Sequence, residues 1–581
     1  GLVRSHVGVG VLILWMMFPP QQNYAVVAQT RLVSYANQSV ISCDVTSNKL
    51  GMKDLDLLYG DYDVFNDDAK DLQIRVTSKK EREIVESIVG SSCEYLYNVE
   101  EEIAMFEREC IASASASKTG TETSNWFEAF HNFTDIINWY KDLNSVNPDL
   151  TTFVDSIGQQ SIEGRNISAF HITAAADDSN KSKKKIWFQC QIHAREWISA
   201  STCMYVVDRL VASYNEGDTT TIDLLGKVEI IVIPIVNPDG YVYTWTTNRL
   251  WRKNRRKNQS QINNDRFDGV DLNRNYNDHW YTGIGTSTSF NSQIYKGTSP
   301  ESEPEIAATT AYFKENGPIY GAIDFHSYGQ WLLYPYGFSA DEVGPDNFQF
   351  VKLTTKMERA IEEVNGMNYI SEQSAGFYPA SGTSDDWFYG EDLRDKNGGI
   401  RPYSLCIELR DRGKKGFEIL PKYIIPTGEE ILPGLYIFID TAIESPLCYD
   451  ECPTPMPSPS STQSQSPSTR PSESPSAKPS SSPSEAPSVS PSISPSAAPS
   501  ANPSAAPSAS PSAAPSTSPS TAPSTSPSEA PSAAPSASPS FAPTNIPSTT
   551  PTDFPSSSPT VDLTGKFSVI AGGLNNSALG D

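Results

Sequence analysis

The chain has 581 residues, which is too long for one ordinary domain, so we expect several structural units. It carries 44 Lys and Arg against 69 Asp and Glu, a formal net charge of −25. A chain this acidic binds nucleic acid poorly and is repelled by anionic membranes. We therefore expect neither nucleic acid nor an anionic membrane as a partner.

The first 28 residues have the features of a secretory signal peptide. Arg4 precedes an apolar run from Val7 to Phe18 that is too short to cross a bilayer, and small residues follow at Ala25-Val-Val-Ala28. This order predicts cleavage near Ala28. A buried helix is the alternative. We therefore expect a secreted protein without a membrane span, because no later segment is apolar enough.

The cysteines and the N-glycosylation sequons are consistent with a secreted protein. The eight cysteines include no Cys-X-X-Cys pair, so we expect disulfides rather than a structural zinc ribbon. Candidate N-glycosylation sequons begin at Asn37, Asn132, Asn166, Asn180, Asn258 and Asn575.

Residues 29–118 predict a small α+β domain. Runs typical of strands, Asp71–Val76 and Cys93–Tyr97, alternate with helical patterns at Lys79–Val89 and Val99–Glu109. Residues 112–118 are polar and unpatterned, so we expect an exposed segment that proteases can cut.

Residues 119–446 predict a larger α/β domain with a mixed, mostly buried sheet. The run Val228–Val236 is almost entirely apolar, as expected of a strand that is buried on both faces. A second apolar run covers Ile319–Phe325, and helical stretches separate such runs.

The composition changes sharply in residues 447–560. Pro-Ser recurs every four residues, for instance from Pro483 to Pro499. Such a segment cannot form a core, and proline removes backbone donors. We expect a disordered stalk rich in polyproline II, a candidate for O-glycosylation and for attachment to a cell wall or matrix. Residues 561–581 have no pattern that assigns them a role.

Three of the polar residues have the spacing of a metal site. His193 follows the predicted strand Ile186–Gln191 and lies three residues before Glu196, so one turn can point both at one ion. His326 ends the run Ala322–His326, and strand ends on one sheet edge form the usual ligand crevice. Two His and one Glu leave a fourth position open, which is typical of catalytic zinc. Taken alone, this spacing also occurs among ordinary core and surface residues.

Further motifs surround these ligands in one order along the chain. They are His193-Ala-Arg-Glu-Trp197, Asn237-Pro-Asp-Gly-Tyr241, Asp271-Leu-Asn-Arg-Asn275, Ser302-Glu-Pro-Glu305, His326-Ser-Tyr328, Tyr378-Pro-Ala-Ser-Gly382 and Glu408-Leu-Arg-Asp411. Together they resemble the funnelin-type metallocarboxypeptidases, the pancreatic carboxypeptidase A/B family. The resemblance covers about residues 29–446. It implies an eight-stranded mixed sheet between helices at 119–446, preceded by a pro-domain (activation peptide) at 29–118.

The resemblance also implies the catalytic groups. One Zn²⁺ is bound by His193, Glu196 and His326, and zinc lowers the pKa of its water towards neutrality. Glu408 matches the general base that passes the water proton to the leaving amine. Arg252 matches the arginine that stabilises the oxyanion. A carboxylate paired to Arg410 is the alternative for Glu408.

Substrate-binding residues follow from the same resemblance. Asn273 and Arg274 match the clamp for the terminal carboxylate, and the arginine fork suits that geometry. Tyr378 matches a mobile tyrosine that closes over the substrate, and Arg195 matches an arginine on the substrate path. Asp271 is expected to hold the second ring nitrogen of His193.

The other cations near Arg252 are interpreted differently. For Lys253, Arg255, Arg256 and Lys257 the run of charge predicts a solvated or anion-binding face.

Asp385 indicates the specificity. Its position matches the floor of the specificity pocket, where A-type members have an apolar residue and B-type members an Asp. A carboxylate there is costly to desolvate unless a cation pairs with it, so we expect preference for C-terminal Lys or Arg. Two alternatives stay open: A-type specificity, and an Asp385 that is only a loop carboxylate.

The resemblance further implies a Cys190–Cys203 disulfide of the B type, with Cys406 left as a buried free thiol. Cys448 and Cys452 are candidates for a small loop, and Cys43, Cys93 and Cys110 leave one odd thiol, but the sequence does not fix these pairings. Non-proline cis bonds are implied at Ser327-Tyr328, Pro335-Tyr336 and Arg410-Asp411.

We also expect a zymogen whose partners are an activating protease and peptide C-termini. Lys118 is the preferred cleavage site, ahead of Arg108. Two further interpretations stay open: a non-peptidase zinc amidohydrolase of the aspartoacylase type, and a non-catalytic wall or matrix protein.

Overall fold

The computed structural model describes residues 33–45, 50, 52–68, 71–119, 126–175, 183–258 and 268–450. The expected signal peptide, nearly all of the expected stalk and residues 561–581 lie outside this part of the chain, so these assignments stay predictions. Among the described residues, no helix is both long enough and apolar enough to cross a membrane.

Residues 33–119 form an N-terminal domain of four strands and three helices. The strands are β1 (Ser39–Asp44), β2 (Asp63–Asp68), β3 (Asp71–Val76) and β4 (Glu94–Asn98), and the helices are α1 (Met52–Asp61), α2 (Lys79–Val89) and α3 (Val99–Thr119). The sheet is antiparallel in the order β2-β3-β1-β4. Its core contains Ile41, Leu72, Ile74 and Val85, and a Cys43–Cys93 disulfide joins β1 to the start of β4. The predicted strand at 71–76 and the predicted helix at 79–89 are confirmed.

Helix α3 is longer than the sequence pattern predicted. The expected irregular segment 112–118 is helical and continues α3 as far as Thr119. Alanine has the highest helix propensity and serine is tolerated, so the backbone stays helical although this stretch has no apolar periodicity. Its exposure stays a prediction.

The second domain contains the predicted eight-stranded mixed sheet. Its strands are β5 (Thr151–Val154), β6 (Ala169–Ile172), β7 (Lys184–Cys190), β8 (Val228–Ile233), β9 (Ile319–Ser327), β10 (Trp331–Tyr334), β11 (Ile370–Gln373) and β13 (Tyr403–Leu409). Their order is β11-β10-β13-β9-β7-β8-β6-β5. The central strands β13, β9, β7 and β8 are parallel, and antiparallel pairs flank them. A separate two-stranded sheet joins β12 (Ile400–Arg401) to β14 (Leu447–Cys448).

Helices cover both faces of the large sheet. They are α4 (Phe133–Val146), α5 (Trp197–Glu216), α6 (Thr219–Lys227), α7 (Pro238–Thr246), α8 (Pro304–Asn316), α9 (Asn347–Asn365), α10 (Ser374–Phe377), α11 (Ser384–Tyr389) and α12 (Ile424–Glu444). One apolar cluster includes Val207 of α5, Met357 of α9 and Phe438 of α12. The other includes Phe313 of α8 and Trp387 of α11. The sheet is therefore buried on both sides, as its continuous apolar strands require.

The parallel strands bring polar residues to one edge. His193 follows the end of β7, and in β9 and β13 the residues His326 and Glu408 lie directly opposite each other. Because parallel strands all end at the same edge, this edge is where a crevice is expected.

Covalent and backbone features match several implications of the resemblance. Cys190 and Cys203 form a disulfide, and Cys406 is a buried free thiol. Cys448 is also disulfide-bonded. The three implied non-proline cis bonds are present at Ser327-Tyr328, Pro335-Tyr336 and Arg410-Asp411.

Candidate active site

The three expected metal ligands converge at the carboxyl edge of the sheet. His193, Glu196 and His326 are all buried, and their candidate ligand atoms lie within 4.8 Å of one another. The Nδ1 atoms of the two imidazoles are 3.1 Å apart, and Glu196 Oε1 lies 2.9 Å from Nδ1 of His193. Glu196 Oε2 lies 3.2 Å from Nδ1 of His326. Both rings thus turn the same nitrogen towards one point beside the Glu196 carboxylate.

Carboxylates hold the opposite side of each imidazole ring. Asp271 Oδ1 lies 3.1 Å from Nε2 of His193, and Asp324 Oδ2 lies 3.2 Å from Nε2 of His326. Such partners keep the proton on Nε2 and leave Nδ1 as the ligand atom. Two imidazoles, each oriented by a carboxylate on its far side, fit a zinc ion with an open position together with the Glu196 carboxylate.

Two further groups face this centre. Arg252 lies 3.0 Å from Asp271 and 3.8 Å from Glu196, so its charge is held at the rim of the ligand group. Glu408, Arg252 and the three ligands line the same cavity. The alternative pairing of Glu408 with Arg410 is not found, because Arg410 Nε donates to Glu430 at 2.8 Å instead.

The residues expected to bind a terminal carboxylate lie in the same cavity. Asn273 receives a hydrogen bond from the backbone N–H of Ser384 at 2.8 Å. Arg274 donates to the carbonyls of Gly285 at 3.0 Å and of Asn273 at 2.7 Å, which fixes its guanidinium. The ring of Tyr378 lies 5.9 Å from that guanidinium.

Asp385 and Asp386 have different environments. Asp385 lines the cavity, is 3% exposed and accepts a 2.6 Å hydrogen bond from Ser374. Asp386 accepts from the backbone N–H groups of Gly337 and Phe338 at 2.8 and 2.9 Å. Burial, then the charges of Asp385 and Asp278, raise the pKa of Asp386 well above its ordinary value. Asp386 therefore anchors a loop, whereas Asp385 faces the pocket.

The N-terminal domain covers this cavity. Tyr59, Tyr62, Val64 and Phe65 line it together with the ligands. Tyr59 stacks on Tyr378 with a ring-centroid distance of 4.0 Å. These contacts leave Tyr378 buried against the N-terminal domain.

Arg195 is the centre of the contact between the domains. Its guanidinium lies 2.7 Å from Asp63 and between the rings of Phe65 at 5.1 Å and Phe417 at 4.2 Å. Arg75 also pairs with Asp63 at 2.7 Å. Burial raises the pKa of Asp63, but the charges of Arg195 and Arg75 outweigh it and hold the pKa below its ordinary value.

Comparison with known proteins identifies the fold and the chemistry. Residues 136–434 match the family model described as zinc carboxypeptidase, peptidase M14. The chain belongs to this family. Its members use Zn²⁺ and act on peptide C-termini, so this carboxypeptidase is a zinc exopeptidase rather than an amidohydrolase of another kind or a non-catalytic matrix protein.

Curated relatives carry both A-type and B-type names. Metallocarboxypeptidase A of Trichophyton equinum is 36% identical over 323 residues, 55% of this chain and 72% of the relative. Carboxypeptidase A4 of Mus musculus is 35% identical over 298 residues, 51% of this chain and 67% of the relative. Carboxypeptidase B2 of Rattus norvegicus is 34% identical over 318 residues, 54% of this chain and 70% of the relative.

Two solved structures match more of the chain. Thrombin activatable fibrinolysis inhibitor matches with a TM-score of 0.59 and 27% identity over 70% of this chain and 100% of that chain. Carboxypeptidase A from Helicoverpa armigera gives a TM-score of 0.61 and 26% identity over 71% of this chain and 98% of that chain.

The prediction of a solvated cationic face is wrong for two residues of this carboxypeptidase. Lys253 and Arg255 are each 2% exposed. Lys253 donates to the carbonyls of Phe290 and Ser292 at 2.8 and 2.9 Å, and burial lowers its pKa to about 7. Arg255 stacks on the ring of Tyr243 at 3.6 Å. The side chains of Arg256 and Lys257 are 37% and 54% exposed, as expected.

Sequence reasoning missed three residues of the carboxypeptidase site. Asp324 holds His326, Ser374 bonds to Asp385, and Phe417 stacks on Arg195. Asp324 could have been found, because it lies two residues before His326 on a strand and shares its face. Ser374 and Phe417 come from separate segments and carry no local signal.

Proposed function

We propose that this protein is a secreted zymogen whose catalytic domain removes C-terminal Lys or Arg from peptides. The observation that carries the specificity is the isolation of Asp385. Two other buried carboxylates that lie near the cavity face cations: Asp63 faces Arg195, and Asp271 faces Arg252. Within the described residues, Asp385 has no ion-pair partner and accepts a side-chain hydrogen bond only from the neutral Ser374.

A buried carboxylate without a cation destabilises its surroundings unless a ligand supplies one. A C-terminal Lys or Arg side chain would reach Asp385 and pair with it. An apolar side chain would leave the charge unpaired, so the same carboxylate would disfavour substrates ending in Phe or Leu.

The proposed residue roles in catalysis follow from position. His193, Glu196 and His326 would hold the zinc ion, which acts as a Lewis acid and activates water when it is bound. Glu408 would take the proton from the attacking water and deliver it to the leaving amine. Arg252, held by Asp271, would stabilise negative charge that develops on the carbonyl oxygen. Asn273 and Arg274 would bind the terminal carboxylate, and Tyr378 would close over the substrate.

The zymogen proposal rests on the N-terminal domain. Tyr59 and Phe65 of this domain line the cavity, and its Asp63 pairs with Arg195, which supports the proposal that the domain hinders entry of a peptide. The match with the two solved structures covers 70 and 71% of the chain, more than residues 119–446 contribute, which are 328 of the 581 residues. One of those two proteins is named thrombin activatable fibrinolysis inhibitor, which supports activation by a protease here.

Secretion is supported by the oxidised cysteines. Cys43–Cys93 and Cys190–Cys203 are disulfides, and such bonds persist in oxidising compartments. The apolar segment before residue 28 and the Pro-Ser stalk fit the same compartment, with the stalk proposed to attach to a wall or matrix.

The test compares matched peptides ending in Arg, Lys or Phe, each with a free or an amidated C-terminus. The full chain is assayed intact and after limited trypsin digestion. We expect low activity before digestion and at least tenfold faster release of Lys or Arg than of Phe afterwards. Amidated peptides should resist hydrolysis.

Asp385→Ile is the decisive variant, with Asp386→Asn as its neighbour control. Asp385→Ile should reverse the order so that Phe is released faster than Lys or Arg. Faster release of Phe by the wild type, or an Asp385→Ile enzyme with an unchanged order, overturns the proposed specificity.

A further inference from the structure

We propose that Ser374 makes the pocket selective for C-terminal lysine over C-terminal arginine. This inference rests on the proposed function, since it concerns which basic side chain Asp385 pairs with. Ser374 begins α10, directly after β11, and Asp385 is the second residue of α11. Both line the cavity, and both are buried.

The hydroxyl of Ser374 uses one of the two lone pairs on a carboxylate oxygen of Asp385. Its Oγ lies 2.6 Å from Asp385 Oδ2 and 3.1 Å from the carbonyl of Tyr334. A hydroxyl has one proton, and the shorter contact to the charged group is the stronger bond. Ser374 therefore donates to Oδ2 and keeps its own lone pairs for another donor.

This arrangement does not suit a guanidinium. An arginine fork binds a carboxylate best through two parallel N–H groups, one to each oxygen. In this pocket one lone pair of Oδ2 already accepts from Ser374, so a fork can use both of its arms only if its second N–H shares that oxygen with the hydroxyl. A substrate with a C-terminal arginine would then lose part of the bidentate hydrogen-bond geometry that favours binding of a guanidinium to a carboxylate.

An ammonium group suits the same arrangement. It is a compact charge with three rotatable donors and needs no pair of parallel acceptors. One N–H can donate to the carboxylate while another donates to the Oγ lone pair of Ser374. The apolar side chains of Leu333, Ile294 and Ala380 are buried along the cavity and can pack on the lysine methylenes.

The backbone of Asp385 provides a matched control. Ser404 donates from its Oγ to the Asp385 carbonyl at 2.8 Å, so it supports the same residue without touching either carboxylate oxygen. Loss of the Ser404 hydroxyl can loosen α11, but it leaves the acceptors that the substrate meets unchanged.

The experiment measures kcat/KM of the trypsin-activated full chain for peptides that differ only in a terminal Lys, Arg or Phe. We expect the wild type to favour Lys over Arg at least fivefold, and Ser374→Ala to reduce that ratio to about one, mainly by raising KM for Lys. Ser374→Thr, which retains the hydroxyl, and Ser404→Ala should keep the wild-type ratio.

The possible outcomes separate the proposed role of Ser374 from the proposed function of the protein. A wild type that releases Arg as fast as Lys, or a Ser374→Ala enzyme that loses both equally, overturns the role of Ser374 while basic specificity stands. A wild type that prefers Phe overturns the proposed function itself. Because the wild-type ratio is decisive alone, poor folding of Ser374→Ala does not leave the proposal untested.

Discussion

The carboxylate of Asp63 in the N-terminal domain lies 2.7 Å from the guanidinium of Arg195 in the catalytic domain. Arg195 is 1% exposed, and it lies two residues after the expected zinc ligand His193. In the proposed zymogen, a substrate that reaches Arg195 would meet an arginine whose charge is already neutralised. Asp63 would thus pair this cation with a carboxylate, the chemical group that also ends a peptide substrate.

Replacement of Asp63 by Asn should weaken the proposed latent state. A neutral amide keeps the shape but removes the ion pair, and loss of one partner of a buried pair is strongly unfavourable. We expect the uncut Asp63→Asn chain to hydrolyse a small C-terminal Lys substrate at least about tenfold faster than the uncut wild type, about 1.4 kcal/mol of lost inhibition. Gel analysis must show that the chains remain intact.

Glu83→Gln is the control for that experiment. Glu83 forms a 3.7 Å ion pair with Lys79 on the same domain, but its side chain is 62% exposed. Exposed pairs contribute little, so latency should not change. Equal activities of the two variants would show that Asp63 does not maintain inhibition.

Asp271→Asn should weaken zinc binding. Asp271 accepts from Nε2 of His193 and also pairs with Arg252, so the amide would orient the imidazole less well. Loss of such a partner typically reduces metal affinity 10–100-fold. Zinc content measured after dialysis against a graded chelator series should show the shift. Asp239→Asn, a buried aspartate that pairs with Arg165 at 2.7 Å, should retain wild-type affinity.

Glu408→Gln should separate metal binding from catalysis. Glu408 lines the cavity opposite His326 but is not among the three proposed ligands. Without a general base, the rate on a favoured peptide should fall by about 10²–10⁴-fold, while zinc content stays at one ion per chain. A variant that lost its zinc together with its activity would instead place Glu408 among the ligands.

Much of this site follows from local sequence. The almost entirely apolar run that begins at Val228 predicts a doubly buried strand, which is β8, and the spacing of His193 and Glu196 requires only one turn to bring them together. These signals are local, so a single sequence contains them. The order of the motifs then predicts which side chains share the sheet edge.

The errors arise where the partners are distant. Lys253 and Arg255 look like solvent-facing charges, yet Lys253 meets carbonyls at Phe290 and Ser292, and Arg255 stacks on Tyr243. Nothing next to these cations in the sequence indicates those partners. Ser374 is a similar case, because its proposed role depends on its hydrogen bond to Asp385, which lies in a different helix.

Glu305 should make stability depend on pH. Burial, and after it the charge of Glu303, raise the pKa of Glu305 to about 7, against about 4.3 for an unfolded Glu. Below about pH 4 both states are protonated and no penalty exists. As the pH rises towards 7 the unfolded state ionises first, so the folded state loses on the order of 3 kcal/mol.

Glu305→Gln should remove that penalty. We expect the variant to be more stable than the wild type at pH 8, by about 2–3 kcal/mol, and to differ little at pH 4.5. Urea unfolding at the two pH values measures this. The exposed Glu429→Gln should show no such pH dependence. A Glu305→Gln variant with the same stability difference at both pH values would contradict the assignment.

Cleavage at Lys118 should depend on the stability of the last turns of α3. The helix continues to Thr119, and a protease needs an extended segment, so these turns must unwind before Lys118 can be cut. Glycine is about 1 kcal/mol less favourable in a helix than alanine, whereas serine lies between them. Ser115→Gly should therefore be cut faster by trypsin than the wild type, and Ser115→Ala more slowly.

The two variants should differ by about fivefold in cleavage rate, because about 1 kcal/mol changes an opening equilibrium by that factor. The rate is measured as loss of the uncut chain at low trypsin, where opening is fast relative to cutting. Lys118→Gln should abolish the fast cut and leave only slower cleavage elsewhere, for instance at Arg108. Equal rates for Ser115→Gly and Ser115→Ala would mean that helix unwinding does not limit activation, and a fast cut that survives Lys118→Gln would move the activation site away from the end of α3.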